Sequence, residues 1–199
     1  MADSYSTAER KFLAPARKLL RAVFAPGVRA LIALHVAPNA VSFAQVPLAG
    51  IVIALMPAYP RLAFGAFVGA LALDGVDGAL ARATQRATKF GALFDQYCDH
   101  AREVIVIAGL AWHGALHPFL AGVYGVTYPG FNLTLYLCNR YGVPLPFAIK
   151  SYLVVYPALF VYLWFDVRVL DLAVALSLAF MLAAIGVGLH RLARAMDAL

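Results

Sequence analysis

The stretch DGVDGALARATQRATKFGALFDQYCD, residues 74–99, sets Asp74, Asp77, Asp95 and Asp99 into an otherwise apolar chain. An ionised Asp at membrane depth costs at least a few kcal/mol, so a cluster of four requires a compensating cation or a water-filled cavity. At helical spacing Asp74 and Asp77 (i, i+3) share one face, and Asp95 and Asp99 (i, i+4) share another. Two facing helices then converge the four carboxylates on one point. An all-oxygen, hard-ligand site of this kind suits Mg²⁺ or Mn²⁺, and the absence of a Cys/His cluster argues against zinc.

The surroundings of that stretch set its environment. Of 199 residues, 63% are hydrophobic and 13% charged, with a mean hydropathy of +0.80; soluble domains carry about a quarter charged residues. The composition excludes an ordinary soluble domain and predicts an all-α, polytopic membrane protein. A chain of this length holds one bundle of roughly 20-residue spans, so residues 1–199 are expected to form a single domain with short loops. Cys98 and Cys138 have neither pairing nor metal spacing and read as small buried residues. The first 30 residues are basic and lack a compact apolar core with a small-residue cleavage site, so no removable signal peptide is expected.

Long apolar stretches predict six transmembrane helices at about 40–58, 62–82, 91–112, 117–138, 148–165 and 169–190, a bundle over about 40–190. Asp74 and Asp77 interrupt the second span, and Asp95 and Asp99 open the third; the short link from Ala83 to Phe90 keeps all four near one membrane face. An even span count puts both termini on that face, with Arg82, Arg86, Lys89, Arg140, Lys150, Arg191 and Arg194, while Arg61 and Arg168 lie opposite. The positive-inside rule then places the termini and the acidic cluster on the cytoplasmic side of the cell membrane. Ahead of the bundle, residues 5–24 have an amphipathic pattern. Phe12, Leu13, Ala16, Leu19, Leu20, Val23 and Phe24 recur at helical spacing, and Arg10, Arg17 and Arg21 cluster elsewhere. This predicts a juxtamembrane helix lying on the lipid bilayer, with Pro15 as its internal proline.

The spacing Asp74-x2-Asp77-Gly78-x2-Ala81-Arg82-x8-Gly91-x3-Asp95-x3-Asp99 resembles the signature of the CDP-alcohol phosphatidyltransferase family, with every fixed position filled. The segment from His35 to Ser42, with Pro38, Asn39 and Ser42, is similar to the Pro-Asn-x-x-Thr/Ser element that opens the family's first span. The six spans and the amphipathic N-terminal helix also match the family architecture. His100 departs from the pattern, because many relatives carry Arg directly after the last Asp. The resemblance implies a nucleotide site made by Asp74, Asp77, Gly78, Ala81, Arg82, Gly91 and Asn39. It further implies CDP-diacylglycerol or CDP-archaeol as donor, phospholipid biosynthesis as the role, and a homodimer; no nucleic-acid partner is expected.

The residues themselves support that chemistry. Transfer of a phosphate ester from a pyrophosphate donor needs neutralised phosphates, in-line positioning and a base for the attacking hydroxyl. Asp74, Asp77 and Asp95 are the expected metal ligands. Asp99, the fourth carboxylate of the set, is also the candidate catalytic base. Gly78 and Ala81 share one helical face, where small side chains let a nucleotide approach the backbone. Direct attack by the acceptor alcohol is preferred over a covalent intermediate on His35 or His100, since neither histidine has a visible activating partner.

For the acceptor, the family offers glycerol 3-phosphate, inositol phosphate, inositol or serine, with CDP-choline or CDP-ethanolamine phosphotransfer as a variant. Arg102, Arg140 and Lys150 are the cations expected to hold a phosphorylated acceptor, with pairing to Glu103 or a motif Asp as the alternative for Arg102. Each piece also has a plainer reading: the small residues as helix packing, the arginines as interfacial anchors, the aspartates as an ion path. A divalent-cation transporter or channel would carry polar residues across the membrane. Leu62 to Leu73 and Val104 to Leu110 are instead apolar, which favours a one-sided catalytic pocket.

Overall fold

The protein is represented by a computed structural model that describes residues 14–146, 148 and 150–197, and those residues contain helices and no strands. In chain order the helices are α1 (Ala14–Ala33), α2 (Pro38–Leu55), α3 (Pro60–Ala83), α4 (Lys89–Trp112), α5 (Pro118–Arg140), α6 (Ser151–Phe165) and α7 (Leu170–Met196). They form two compact units, Pro15–His113 and Gly114–Leu199.

Among the described residues three helices, α2, α3 and α7, are long and apolar enough to cross a membrane. This makes the chain a helical membrane protein, in which α4, α5 and α6 fall short of plain apolar spans. The shortfall has physical causes. α4 contains Lys89, Asp95, Asp99, Arg102 and Glu103, and α5 mixes Gly, Pro, Thr, Tyr and Asn among its apolar residues. With 15 residues, α6 rises about 22 Å against a hydrocarbon core of about 30 Å.

Local chemistry sets the helix ends. Pro38, Pro60 and Pro118 open α2, α3 and α5, where a missing N–H costs nothing. α3 closes in a left-handed turn: the Arg86 N–H donates to the Ala81 carbonyl at 2.9 Å, and Gln85 has φ 56°. Thr88 then starts α4, its Oγ1 accepting from the Gly91 N–H at 2.9 Å.

The N-terminal helix differs from its expected bounds. α1 runs to Ala33 instead of ending near residue 24, and its internal proline is Pro26 rather than Pro15. Tertiary burial explains the extension, since Phe24, Val28 and Leu31 pack with Val41, Val76 and Leu80. Arg10, Phe12 and Leu13, part of the amphipathic pattern, lie outside the described residues.

Within the Pro15–His113 unit, α2 makes the close backbone contacts, with α3 on one side and α4 on the other. Packing between membrane helices depends on small residues that let backbones approach. Gly109 of α4 lies so near Ile53 of α2 that a Cβ would overlap it, and a Cβ on Gly75 of α3 would stand 2.6 Å from Phe24 Cε2. In the Gly114–Leu199 unit, α7 packs on α5 and α6, with Gly188 seated against Thr134. Tyr124 and Ser151 share a hydrogen bond of 2.5 Å between α5 and α6. The His117 N–H donates to Asp171 Oδ1 at 2.7 Å and ties the start of α5 to the first turn of α7. Cys98 and Cys138 are both buried and unbridged.

Candidate metal and nucleotide site

α3 and α4 approach each other less closely than either approaches α2, and their carboxylates reach across the opening. Asp74, Asp95 and Asp99 are partly buried, and one oxygen from each lies within 4.8 Å of the others. Asp77, the fourth aspartate, is outside that trio. It is 3% exposed, neighbours Asp74 and Asp95, and its Oδ2 accepts from Ser42 Oγ at 2.5 Å. Spacing along the helix brings Asp77 to the cluster, while the hydroxyl on α2 turns one of its oxygens aside.

The arrangement fits a divalent cation. Asp77 Oδ1 and Asp95 Oδ1 are buried and have no hydrogen-bond partner. Orphaned carboxylate oxygens beside further carboxylates are costly without a counter-charge. The donor set is all oxygen and hard, as Mg²⁺ and Mn²⁺ prefer. Asp74, Asp95 and Asp99 would hold such an ion, with Asp77 adjacent.

One face of α2 lines the cluster from the side. Ser42 and Gln45 are three residues apart and both buried. While Ser42 holds Asp77, Gln45 Oε1 accepts from Arg102 Nη1, and the same Nη1 bonds Asp99 Oδ1 at 2.9 Å. The sequence offered Ser42 only as the last residue of a motif and gave no role to Gln45. Their signal was a pair of polar residues at i, i+3 within an apolar helix, legible only once α2 is known to be the neighbour.

The small residues fall where a ligand could come close to the backbone. Gly91 lies beside Asn39, since a Cβ on it would stand 3.3 Å from Asn39 Oδ1 and 3.1 Å from Thr88 Oγ1. Two residues far apart in sequence, both expected at the nucleotide, are thus brought together. Arg82 lies over Gly78, with Nη1 3.3 Å from where a Gly78 Cβ would be. Ala81 contributes its carbonyl to the turn that ends α3.

The expected acceptor cations are dispersed. Arg102 is 4% exposed and committed to Asp99 and Gln45. Arg140 is exposed in the last turn of α5, and Lys150 is buried at the cap of α6. Within the Gly114–Leu199 unit, a hollow of about 500 Å³ is lined by Gly142, Val143, Pro144, Arg191, Arg194 and Ala195. Arg191 Nη1 is anchored there, donating to the Pro144 carbonyl at 3.1 Å. Sequence placed these two arginines on the basic face without assigning them a site.

A helical membrane fold whose carboxylates gather on two neighbouring helices defines a class, and comparison with known proteins identifies it. The family model for CDP-alcohol phosphatidyltransferase matches residues 35–190, and the chain belongs to that family. A phosphatidylinositol phosphate synthase of Mycobacteroides abscessus is 48% identical over 42 residues, covering 21% of this chain and 19% of that protein. An archaetidylinositol phosphate synthase of Pyrococcus horikoshii is 33% identical over 97 residues, covering 43% of this chain and 46% of that protein. The matched stretches therefore span less than half the length of either relative. The fold is similar to the crystal structure of Mycobacterium tuberculosis phosphatidylinositol phosphate synthase with CDP-DAG bound. The TM-score is 0.71 at 20% identity, covering 84% of this chain and 92% of that one.

Proposed function

We propose that this protein transfers a phosphatidyl or archaetidyl group from a CDP-linked lipid to the hydroxyl of a small polar alcohol and releases CMP. The observation that carries this reading is the trio Asp74, Asp95 and Asp99, with oxygens within 4.8 Å, inside a family match over residues 35–190. A bound Mg²⁺ or Mn²⁺ would supply charge neutralisation for the donor's pyrophosphate. The protein's own groups do the rest. Asn39, set against Gly91, offers its amide to the nucleotide, Arg82 offers a cation beside Gly78, and Asp99 accepts the proton of the attacking hydroxyl. The acceptor oxygen bonds the lipid-bearing phosphorus as the bond to the CMP oxygen breaks, so one phosphate ester forms and CMP leaves with the electron pair.

A phosphorylated acceptor, inositol phosphate first, is the reading we favour. Its support is the product for which the two relatives are named, one a phosphatidylinositol phosphate synthase and the other an archaetidylinositol phosphate synthase. With it go the remaining expectations: a single domain over residues 1–199, six membrane crossings with the aspartates on the cytoplasmic side, and a homodimer. The test is CMP release by the purified protein from CDP-diacylglycerol or CDP-archaeol with Mg²⁺, offered inositol phosphate, glycerol 3-phosphate, inositol and serine in turn. Inositol phosphate is expected to be turned over fastest, with the matching phosphatidyl or archaetidyl product. Serine or free inositol as the sole good acceptor would contradict the phosphorylated-acceptor reading, and no CMP with any alcohol would contradict the transferase itself.

A further inference from the structure

Arg102 was expected to reach outward for a phosphorylated acceptor, yet its guanidinium is buried between two helices. It is 4% exposed, and Nη1 is bonded to both Asp99 Oδ1 and Gln45 Oε1. Gln45 is completely buried on the face of α2 that also presents Ser42 to Asp77. The choice of an amide matters. A Gln oxygen accepts from the guanidinium without adding charge, so the net attraction of Arg102 remains directed at Asp99; a second carboxylate would compete for it. The Gln45 Nε2 group has no partner, so the interaction with Arg102 through Oε1 is what the buried amide contributes.

We propose that Arg102 and Gln45 are positioning residues that fix the Asp99 carboxylate relative to α2, rather than ligands of the acceptor. Through Ser42 and Gln45, three residues apart, a single helix then sets the orientation of one aspartate from α3 and one from α4. A base acts on the proton of a bound alcohol only if its oxygen is held within hydrogen-bond reach, and partners behind active-site ligands commonly contribute about 10- to 100-fold to activity. The inference rests on the transferase reading and deepens it.

The test is steady-state CMP release by the full-length protein from CDP-diacylglycerol and inositol phosphate with Mg²⁺, alongside binding of CMP. Arg102→Gln is expected to lower kcat by about 10- to 100-fold. KM for inositol phosphate and the affinity for CMP should stay within about threefold, because neither ligand is touched. Arg102→Lys, which keeps the charge, is expected to recover part of the loss. Gln45→Met leaves the Arg102–Asp99 pair in place and supplies the reading if Arg102→Gln does not fold; a three- to tenfold fall in kcat at unchanged KM is expected. The proposal is overturned by a raised inositol phosphate KM at normal kcat in the Arg102 variants, which would make Arg102 an acceptor ligand. It is equally overturned by wild-type kcat in Gln45→Met. A wild-type protein that releases no CMP would instead fail the transferase reading, a result separable from both.

Discussion

In the Pro15–His113 unit, polar side chains bond one another across helices, Ser42 to Asp77 between α2 and α3 and Gln45 to Arg102 between α2 and α4, and within α4 Arg102 goes on to Asp99. In the Gly114–Leu199 unit, Asn132 and Thr134 bond backward to Tyr128 and Gly130 carbonyls of their own helix, Cys138 reaches the Gly188 backbone, and the buried cross-helix pair Tyr124–Ser151 is uncharged. A residue bonded to its own helix satisfies itself and leaves neighbouring helices to meet through apolar and small groups. Side chains bonded between helices fix the distance and orientation of charge. Among the described residues the difference therefore separates a unit whose side-chain bonds hold clustered carboxylates from one whose side-chain bonds do not, and it says where substitutions should act on chemistry and where on stability.

The sharpest way to break this contrast is to remove a carboxylate. Asp74→Asn or Asp95→Asn is expected to reduce CMP release on the order of a thousandfold, because each takes a charged oxygen from the group that faces the donor's phosphates. Asn132→Leu in the other unit should leave CMP release within about threefold. If the two kinds of variant lose activity equally, the units do not divide as described.

Ser42→Ala comes next. It deletes the donor to a buried aspartate while leaving every carboxylate present. A hydrogen bond to a charged group is worth about 1.5–3 kcal/mol, so a loss of roughly ten- to a hundredfold in CMP release is expected. Unchanged activity would show that Asp77 needs no help from α2.

Packing variants sharpen the other half of the comparison. Gly109→Ala drives a methyl into Ile53, whereas Gly130 has open space around its Cα. Gly109→Ala is expected to lower stability by about 1–3 kcal/mol, and Gly130→Ala to leave it level or raise it slightly. Thermal unfolding of the two variants in the same detergent checks this, and equal melting temperatures would contradict the close α2–α4 approach. The smallest effect is expected for Thr88→Ala, which removes the cap on the Gly91 N–H and should cost about 1 kcal/mol, read in the same unfolding experiment.

Much of this architecture was legible because helical periodicity is local. Asp95 and Asp99 share a face of α4 as their i, i+4 spacing requires, and Asp74 meets them from α3 because the turn between Ala83 and Lys89 is long enough to reverse the chain. What stayed hidden was tertiary. No spacing rule reveals that α2 packs on both aspartate helices, so the bonds from Ser42 and Gln45 could not be read, whereas pairing of Arg102 with a motif Asp is among the readings its sequence allows. The same limit explains α1. A Pro26-Gly27 pair reads as a helix stop by propensity, yet Phe24, Val28 and Leu31 bury against Val41, Val76 and Leu80 and carry the helix to Ala33. Hydropathy speaks least plainly at α4, where the residues that make the site are those that set the helix apart from a plain apolar span.

Whether the aspartates of α3 and α4 hold a divalent cation for the nucleotide is open to direct measurement. Mn²⁺ binding to the purified protein in the presence of CMP, followed by electron paramagnetic resonance, tests it without requiring turnover or knowledge of the acceptor. Saturable binding by the wild-type protein is predicted, weakened at least tenfold in Asp74→Asn and Asp95→Asn. Mn²⁺ affinity that is the same in both variants as in the wild type would contradict it.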